Sequence, residues 1–149
     1  MSVFGIDVDP SQIVIIPEGA TKQEALDQLV SAVAEHVAVT DMEAFRAAVY
    51  EREASMSTGI GGGIAIPHVR MEEVREPVLG VAIAPSGVEY GALDDKPVHL
   101  LLLFAADTSP DSQYLRLLAR VMTALRDDTL LDRLVACRSV QCVQEALNG

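Results

Sequence analysis

Ser57-Thr58-Gly59-Ile60-Gly61-Gly62-Gly63-Ile64-Ala65-Ile66-Pro67-His68 is a small-residue run that leads through a short apolar stretch to one imidazole. Glycine has no Cβ, so this run lets the chain take positive φ and lets an anion approach the main chain closely. Ile64 and Ile66 are β-branched, and Pro67 pushes the residue before it into extended geometry, so residues 63–66 are predicted to form a strand. A strand that presents His68 beside accessible N–H groups predicts a place for a phosphoryl group on that ring.

Working outward, residues 98–105 are nearly all apolar and read as a central strand covered on both faces, with residues 78–84 as another. Pro85-Ser86-Gly87 and Tyr90-Gly91 predict turns between them, with room for a short strand at 88–90. Ser109-Pro110 has the form of a cap followed by proline at the first helical position, and Leu115, Leu118, Val121, Met122 and Leu125 continue a helix to about Arg126. Shorter helices are expected over 129–136 and 140–147, the second capped by Ser139. Upstream, residues 13–16 form an apolar run ended by Pro17, a first strand. Thr21-Lys22-Gln23-Glu24 is a capping box, after which Leu26, Leu29, Val30, Val33 and Val37 repeat at helical spacing. A second box, Thr40-Asp41-Met42-Glu43, opens a helix with Phe45, Ala48 and Val49 on its apolar face, running to about Arg52. Helices alternating with buried strands predict an α/β fold, a mixed sheet flanked by helices.

The chain of 149 residues is half hydrophobic, enough to bury a core, and with no internal repeat or long linker residues 1–149 read as one domain. Its longest apolar runs fall far short of the ~20 residues that span a bilayer. Residues 1–9 have neither a basic start nor a long apolar stretch, so no export or membrane insertion is expected and the location read is cytoplasmic. Cys137 and Cys142 are too few for a disulfide scaffold and suit no common zinc motif, so they are expected as buried or partly buried thiols. The net charge of −11 argues against nucleic acid, whose binding needs Lys and Arg against phosphates. The same charge favours a basic protein partner weakly, and solubility alone accounts for it more readily.

A phosphoryl relay needs a nucleophile that is neutral and then a good leaving group. Imidazole, with an ordinary pKa of ~6.5, meets both demands. Such transfer asks the protein for position and for charge stabilisation, so Ser57, Thr58 and the glycine N–H groups are natural hydrogen-bond donors to phosphate. No Gly-Lys-Ser/Thr follows the glycines, and a helix rather than a strand precedes them, which excludes a nucleotide loop. His36, His68 and His99 have no metal-ligand spacing, and no carboxylate cluster suits Mg²⁺, so neither metal nor cofactor is expected. Taken alone, a histidine in a glycine-rich loop is also a common structural residue.

Arg52-Glu53 precedes His68; Ala92-Leu93-Asp94-Asp95-Lys96-Pro97-Val98, an apolar strand and Tyr114-Leu115-Arg116-Leu117-Leu118-Ala119 follow it. In order and spacing these blocks resemble the IIA component of the bacterial phosphoenolpyruvate-dependent sugar phosphotransferase system (PTS), fructose/mannitol type (type 2), and most of all its nitrogen-type regulatory member. The resemblance runs from about residue 12 to the C-terminus. It implies the EIIA type-2 fold, with about five strands, and a phosphoryl group taken by His68 through Nε2 from phospho-HPr or an HPr-like carrier. It further implies passage to a IIB protein or a signal to a regulatory target, without a metal because the donor is already a phosphohistidine.

Arg52 matches the family's active-site arginine and has a planar fork suited to phosphate, although a helix C-terminus also suits a cation for the dipole alone. Arg70 falls where relatives often carry a basic residue, and it also reads as an ordinary solvated charge. His99 stands where relatives commonly have an acid. The main departure is Tyr114, aligned with a second histidine in relatives. A tyrosine of pKa ~10 can donate a hydrogen bond but not exchange protons at neutral pH, or it can simply be core, one turn before Leu118. Two classes of function follow: a phosphohistidine relay enzyme of sugar transport or regulation, slow in onward transfer, and a non-catalytic or weakly phosphorylated regulatory binding module. In the second, added phosphate charge would weaken docking.

Overall fold

The apolar run becomes β6 (Val98–Ala106), buried along its length apart from half-buried His99. The computed structural model describes residues 3–148; Met1 and Ser2, which open the stretch read as carrying no export signal, and Gly149 lie outside the described residues. On one side of β6 runs the antiparallel β5 (Val78–Val88), with β1 (Ile13–Ile15) parallel to β5 beyond it. On the other side two short strands share the edge of β6, both parallel to it: β3 (Ile64–Ala65) opposite Leu100 and Leu101, and β4 (His68–Arg70) opposite Phe104 to Ala106. The antiparallel β2 (Gly59–Gly61) pairs with β3 alone. The mixed sheet therefore has six strands among the described residues, in five positions, because Ile66-Pro67 breaks one strand into β3 and β4. Pro67 lacks an N–H for the ladder, yet its carbonyl accepts the Phe104 N–H at 3.0 Å and keeps the two pieces in line.

Strand periodicity sorts the core into two layers. Leu101, Leu103 and Ala105 face α1 (Lys22–Ala34) and α2 (Met42–Ser55), packing with Leu26, Leu29, Val33, Phe45 and Val49. Leu100, Leu102 and Phe104 face α3 (Tyr114–Ala124), α4 (Asp128–Ala136) and α5 (Val140–Leu147), packing with Leu117, Val121, Leu134 and Val143. Each fully buried side chain of this size is worth roughly 1.5–3 kcal/mol of transfer free energy, so β6, apolar on both faces, anchors the sheet. No described helix is long and apolar enough to cross a membrane.

Several boundaries differ from the sequence reading. Helix α1 has its full Thr21–Glu24 capping box but ends at Ala34, because the His36 ring accepts the Ala38 N–H at 3.0 Å and turns the chain; Val37 is left 86% exposed. The cap of α2 is Asp41, accepting from Ala44, while the Thr40 hydroxyl donates to the Glu73 carbonyl, so the expected Thr40–Glu43 box does not form. Helix α3 starts at Tyr114 because the Ser109 hydroxyl accepts the Asp111 N–H within a local turn. Pro85-Ser86-Gly87 lies inside β5 as an irregularity in register between Ile83 and Val88, where a turn was expected. Cys137 and Cys142 form a disulfide, not free thiols: the corner between α4 and α5 brings their Cα atoms to 5.5 Å, within the usual bridging range.

Candidate functional site

His68 opens β4 at the point where the sheet edge is bare, since β2 does not extend that far. Its register opposite Phe104 puts its side chain on the α3 face. The ring Nδ1 lies 2.8 Å from the carbonyl oxygen of Ile66. A carbonyl can only accept, so Nδ1 carries the proton and Nε2 keeps the lone pair. The tautomer is thus set by the bend at Ile66-Pro67, which turns a main-chain oxygen back onto the ring.

His68, Val69 and Arg70 form one wall of a cleft of ≈ 480 Å³ whose other wall is Ala48, Glu51, Arg52 and Ser55. Those four positions recur at i, i+3, i+4 and i+7, one face of α2, so the helix carries Arg52 into the cleft that the imidazole also lines. Arg52 lies in the last turns of α2, its Nη1 3.5 Å from the Met56 carbonyl. Arg70 is held more firmly, donating from Nε to the Asp107 carbonyl at 3.0 Å and from Nη2 to the Ser109 carbonyl at 3.3 Å. Its guanidinium carbon also sits 5.3 Å from the Tyr114 ring centroid, within cation–π reach.

Tyr114 is core and site neighbour at once. Its buried ring meets Phe104 edge-on at 6.3 Å and lies 6.5 Å from the His68 ring at an interplanar angle of 30°. Burial pushes its hydroxyl above the ordinary tyrosine value, against the pull of Arg70 and Arg52, so the group stays protonated near neutral pH. It is therefore a standing donor beside three cationic or ionisable neighbours.

Ser57 and Thr58 are engaged elsewhere. The Thr58 hydroxyl is buried, donating to Glu53 at 2.8 Å and 3.0 Å from the Tyr90 hydroxyl; Ser57 Oγ donates to the Tyr90 carbonyl and accepts the Gly59 N–H. The glycine run is also remote from the imidazole. Ile64 faces Leu100 and His68 faces Phe104, so the turn before Ile64 is four or more residues away along β6, about 13 Å at the ordinary strand rise. The Gly62 N–H is taken by the Asp94 carboxylate at 3.0 Å. The expected nest of main-chain donors therefore exists but is filled by the chain's own anion, away from His68. Sequence reasoning singled out His68, Arg52, Arg70 and Tyr114, which the fold brings together, and missed Glu51, Glu53 and the Ile66 carbonyl. The only signal for Glu53 was its place beside Arg52.

Residues 8–149 match the family model described as phosphoenolpyruvate-dependent sugar phosphotransferase system, EIIA 2. The fructose-specific EIIA component of Haloferax volcanii is 30% identical over 141 residues, covering 94% of this chain and 92% of that protein. A nitrogen regulatory protein of Pseudomonas aeruginosa is 28% identical over 136 residues, covering 91% and 88%. The chain spans about a fifth of the fructose-specific EIIABC component of Bacillus subtilis, at 30% identity with 88% of this chain matched and 21% of that protein. In fold, the crystal structure of nitrogen regulatory protein IIA-Ntr from Neisseria meningitidis superposes with a TM-score of 0.80 at 22% identity, covering 93% of this chain and 94% of that one. With a family match over residues 8–149 and a 30% identical relative of which it covers 92%, this chain belongs to the EIIA 2 family of the phosphoenolpyruvate-dependent sugar phosphotransferase system.

Proposed function

We propose that the chain acts as a cytoplasmic, single-domain phosphocarrier that accepts a phosphoryl group on His68 Nε2 from a phosphohistidine of HPr or an HPr-like protein, in a regulatory, nitrogen-type role. The observation that carries this reading is the Nδ1–H···O=C bond to Ile66 at 2.8 Å, which leaves Nε2 as the nucleophile next to Arg52 and Arg70. The Nε2 lone pair attacks phosphorus; a P–N bond forms on His68 as the donor's P–N bond breaks, and the donor imidazole leaves with that electron pair. The transferring group spreads charge over its equatorial oxygens, and two guanidinium groups in an open cleft answer it without a metal. The Tyr114 hydroxyl supplies a further donor, and Ser57 and Thr58 support the strand behind the ring. Glu51, in the same cleft wall, repels the dianion and keeps its residence from becoming too stable to pass on.

A second reading, the regulatory binding module, draws on Tyr114: it cannot exchange protons as a histidine would, so transfer to a IIB protein would be slow and phosphate would serve to toggle docking on a target. Incubation with phosphoenolpyruvate, enzyme I and HPr, followed by intact mass, tests the phosphocarrier reading. One phosphoryl group should be gained, labile to acid and absent in His68→Ala. No gain, or a gain that survives His68→Ala, overturns it. A binding-module role alone would show phosphate-dependent pull-down of a target with negligible exchange.

A further inference from the structure

The hydrogen bonds that lead away from His68 run inward to a buried carboxylate. Ile66, whose carbonyl holds the imidazole, donates its N–H to the Thr58 carbonyl at 3.0 Å. Thr58 donates its own N–H to the Glu53 carboxylate at 3.1 and 3.2 Å and its hydroxyl at 2.8 Å. Glu53 is 7% exposed and ion-paired with Lys22 of α1 at 3.0 Å, and the Lys22 ammonium sits 4.3 Å from the centroid of the Tyr90 ring. An apolar side chain of similar volume could hold α2 against the sheet without desolvating a charge. What the carboxylate adds is direction: beside the Lys22 ammonium it takes both the Thr58 amide and the Thr58 hydroxyl, which must point at it together. Successive helical residues are about 100° apart, so Arg52 faces the cleft while Glu53 faces inward.

We propose that Glu53 is a positioning residue: by gripping Thr58 it sets the Ile66 carbonyl and hence the Nδ1–H tautomer of His68, and by anchoring the last turns of α2 it holds Arg52 against the same imidazole. The effect on rate rests on the phosphocarrier reading; the effect on the tautomer does not. The link is a structural brace from helix to strand to ring, in which each bond fixes the direction of the next acceptor.

The test is long-range ¹H–¹⁵N correlation on histidine-labelled protein, which separates a protonated ring nitrogen from a bare one. His99 and His36 are internal controls. His99 Nδ1 lies 3.0 Å from the Ala84 carbonyl and should be protonated, whereas His36 Nδ1 accepts from Ala38 and should be bare. In the wild type, His68 should read as Nδ1–H. In Glu53→Gln a substantial share should move to Nε2–H, with His36 and His99 unchanged, and phosphoryl acceptance should slow about tenfold or more. Thr58→Ala, which deletes the hydroxyl's bonds to Glu53 and Tyr90 but keeps the amide bond, should shift the tautomer part of the way and serves if Glu53→Gln does not fold. Folded variants with lowered melting temperature and an unaltered His68 spectrum would overturn the proposal and leave Glu53 a stability residue. Wild-type protein that is never phosphorylated, together with the tautomer shift in Glu53→Gln, would sink the phosphocarrier reading alone.

Discussion

The two ends of the β3–β4 edge use their polar groups in opposite ways. At the glycine end, Gly61, Gly62 and Gly63 take φ of +94°, +66° and +81° to make a tight turn, and the Gly62 N–H is spent on Asp94. That carboxylate also accepts the Lys96 N–H at 3.1 Å, and the Gly62 and Lys96 bonds hold it below its ordinary pKa. At the histidine end the main chain supplies one acceptor, the Ile66 carbonyl, while positive charge arrives from Arg52 on α2 and Arg70 on β4. The difference teaches that a run of glycines marks a backbone path first and an anion site only if its donors remain unclaimed. Here the anion site belongs to side chains.

Substitutions at one end at a time separate the two. Arg52→Met should slow phosphoryl acceptance about 100-fold by time-resolved intact mass, whereas Gly62→Ala should leave it within about twofold. An Ala Cβ at Gly62 meets nothing within 4 Å, so its effect is confined to the positive φ, about 1 kcal/mol of stability by denaturant unfolding. Equal rate losses at both ends would merge them into one site. Tyr114→Phe keeps the ring stack and deletes the donor; a loss of about tenfold in acceptance is expected, and an unchanged rate would return Tyr114 to the core alone.

Two further effects are read in stability. The Cys137–Cys142 bridge closes a loop with a sequence separation of 5, short enough that reducing it should lower the unfolding free energy by about 2 kcal/mol without altering the rate. The smallest and most gradual effect is acid. Burial works to raise the Glu53 carboxyl, but the hydrogen bonds from Thr58, Lys22 and Tyr90 outweigh it and hold the group below its ordinary value of 4.5. A depressed pKa contributes stability that is fully present above the unfolded value and lost as pH falls through the folded one. Unfolding free energy should therefore decline below about pH 4.5, and Glu53→Gln should flatten that decline.

Local sequence made much of the frame legible. The apolar run of β6, the Thr21 box of α1 and the Ser139 cap of α5 are each decided by residues within one turn or one strand, and all three appear as read. What the sequence hid depends on pairings made by the fold. The Ser109 hydroxyl could cap a helix or close a turn, and Asp107 settled it by accepting the Ser112 hydroxyl at 2.9 Å. The disulfide needs the α4–α5 corner to exist before its two cysteines meet. The site divides in the same manner: Pro-His and an arginine at a helix end are local signals for His68 and Arg52. The bond from Gly62 to Asp94 spans 32 positions, and the brace to His68 needs Thr58 and Ile66 on neighbouring strands. No spacing rule finds either.

One nitrogen of His68 is prepared for phosphorus. The most direct measurement is the ³¹P–¹⁵N coupling of the phosphorylated, histidine-labelled protein. Phosphorus bonded to Nε2 of His68, with Nδ1 still protonated, is the predicted result; phosphorus on Nδ1, on His36 or His99, or on a hydroxyl would contradict the account.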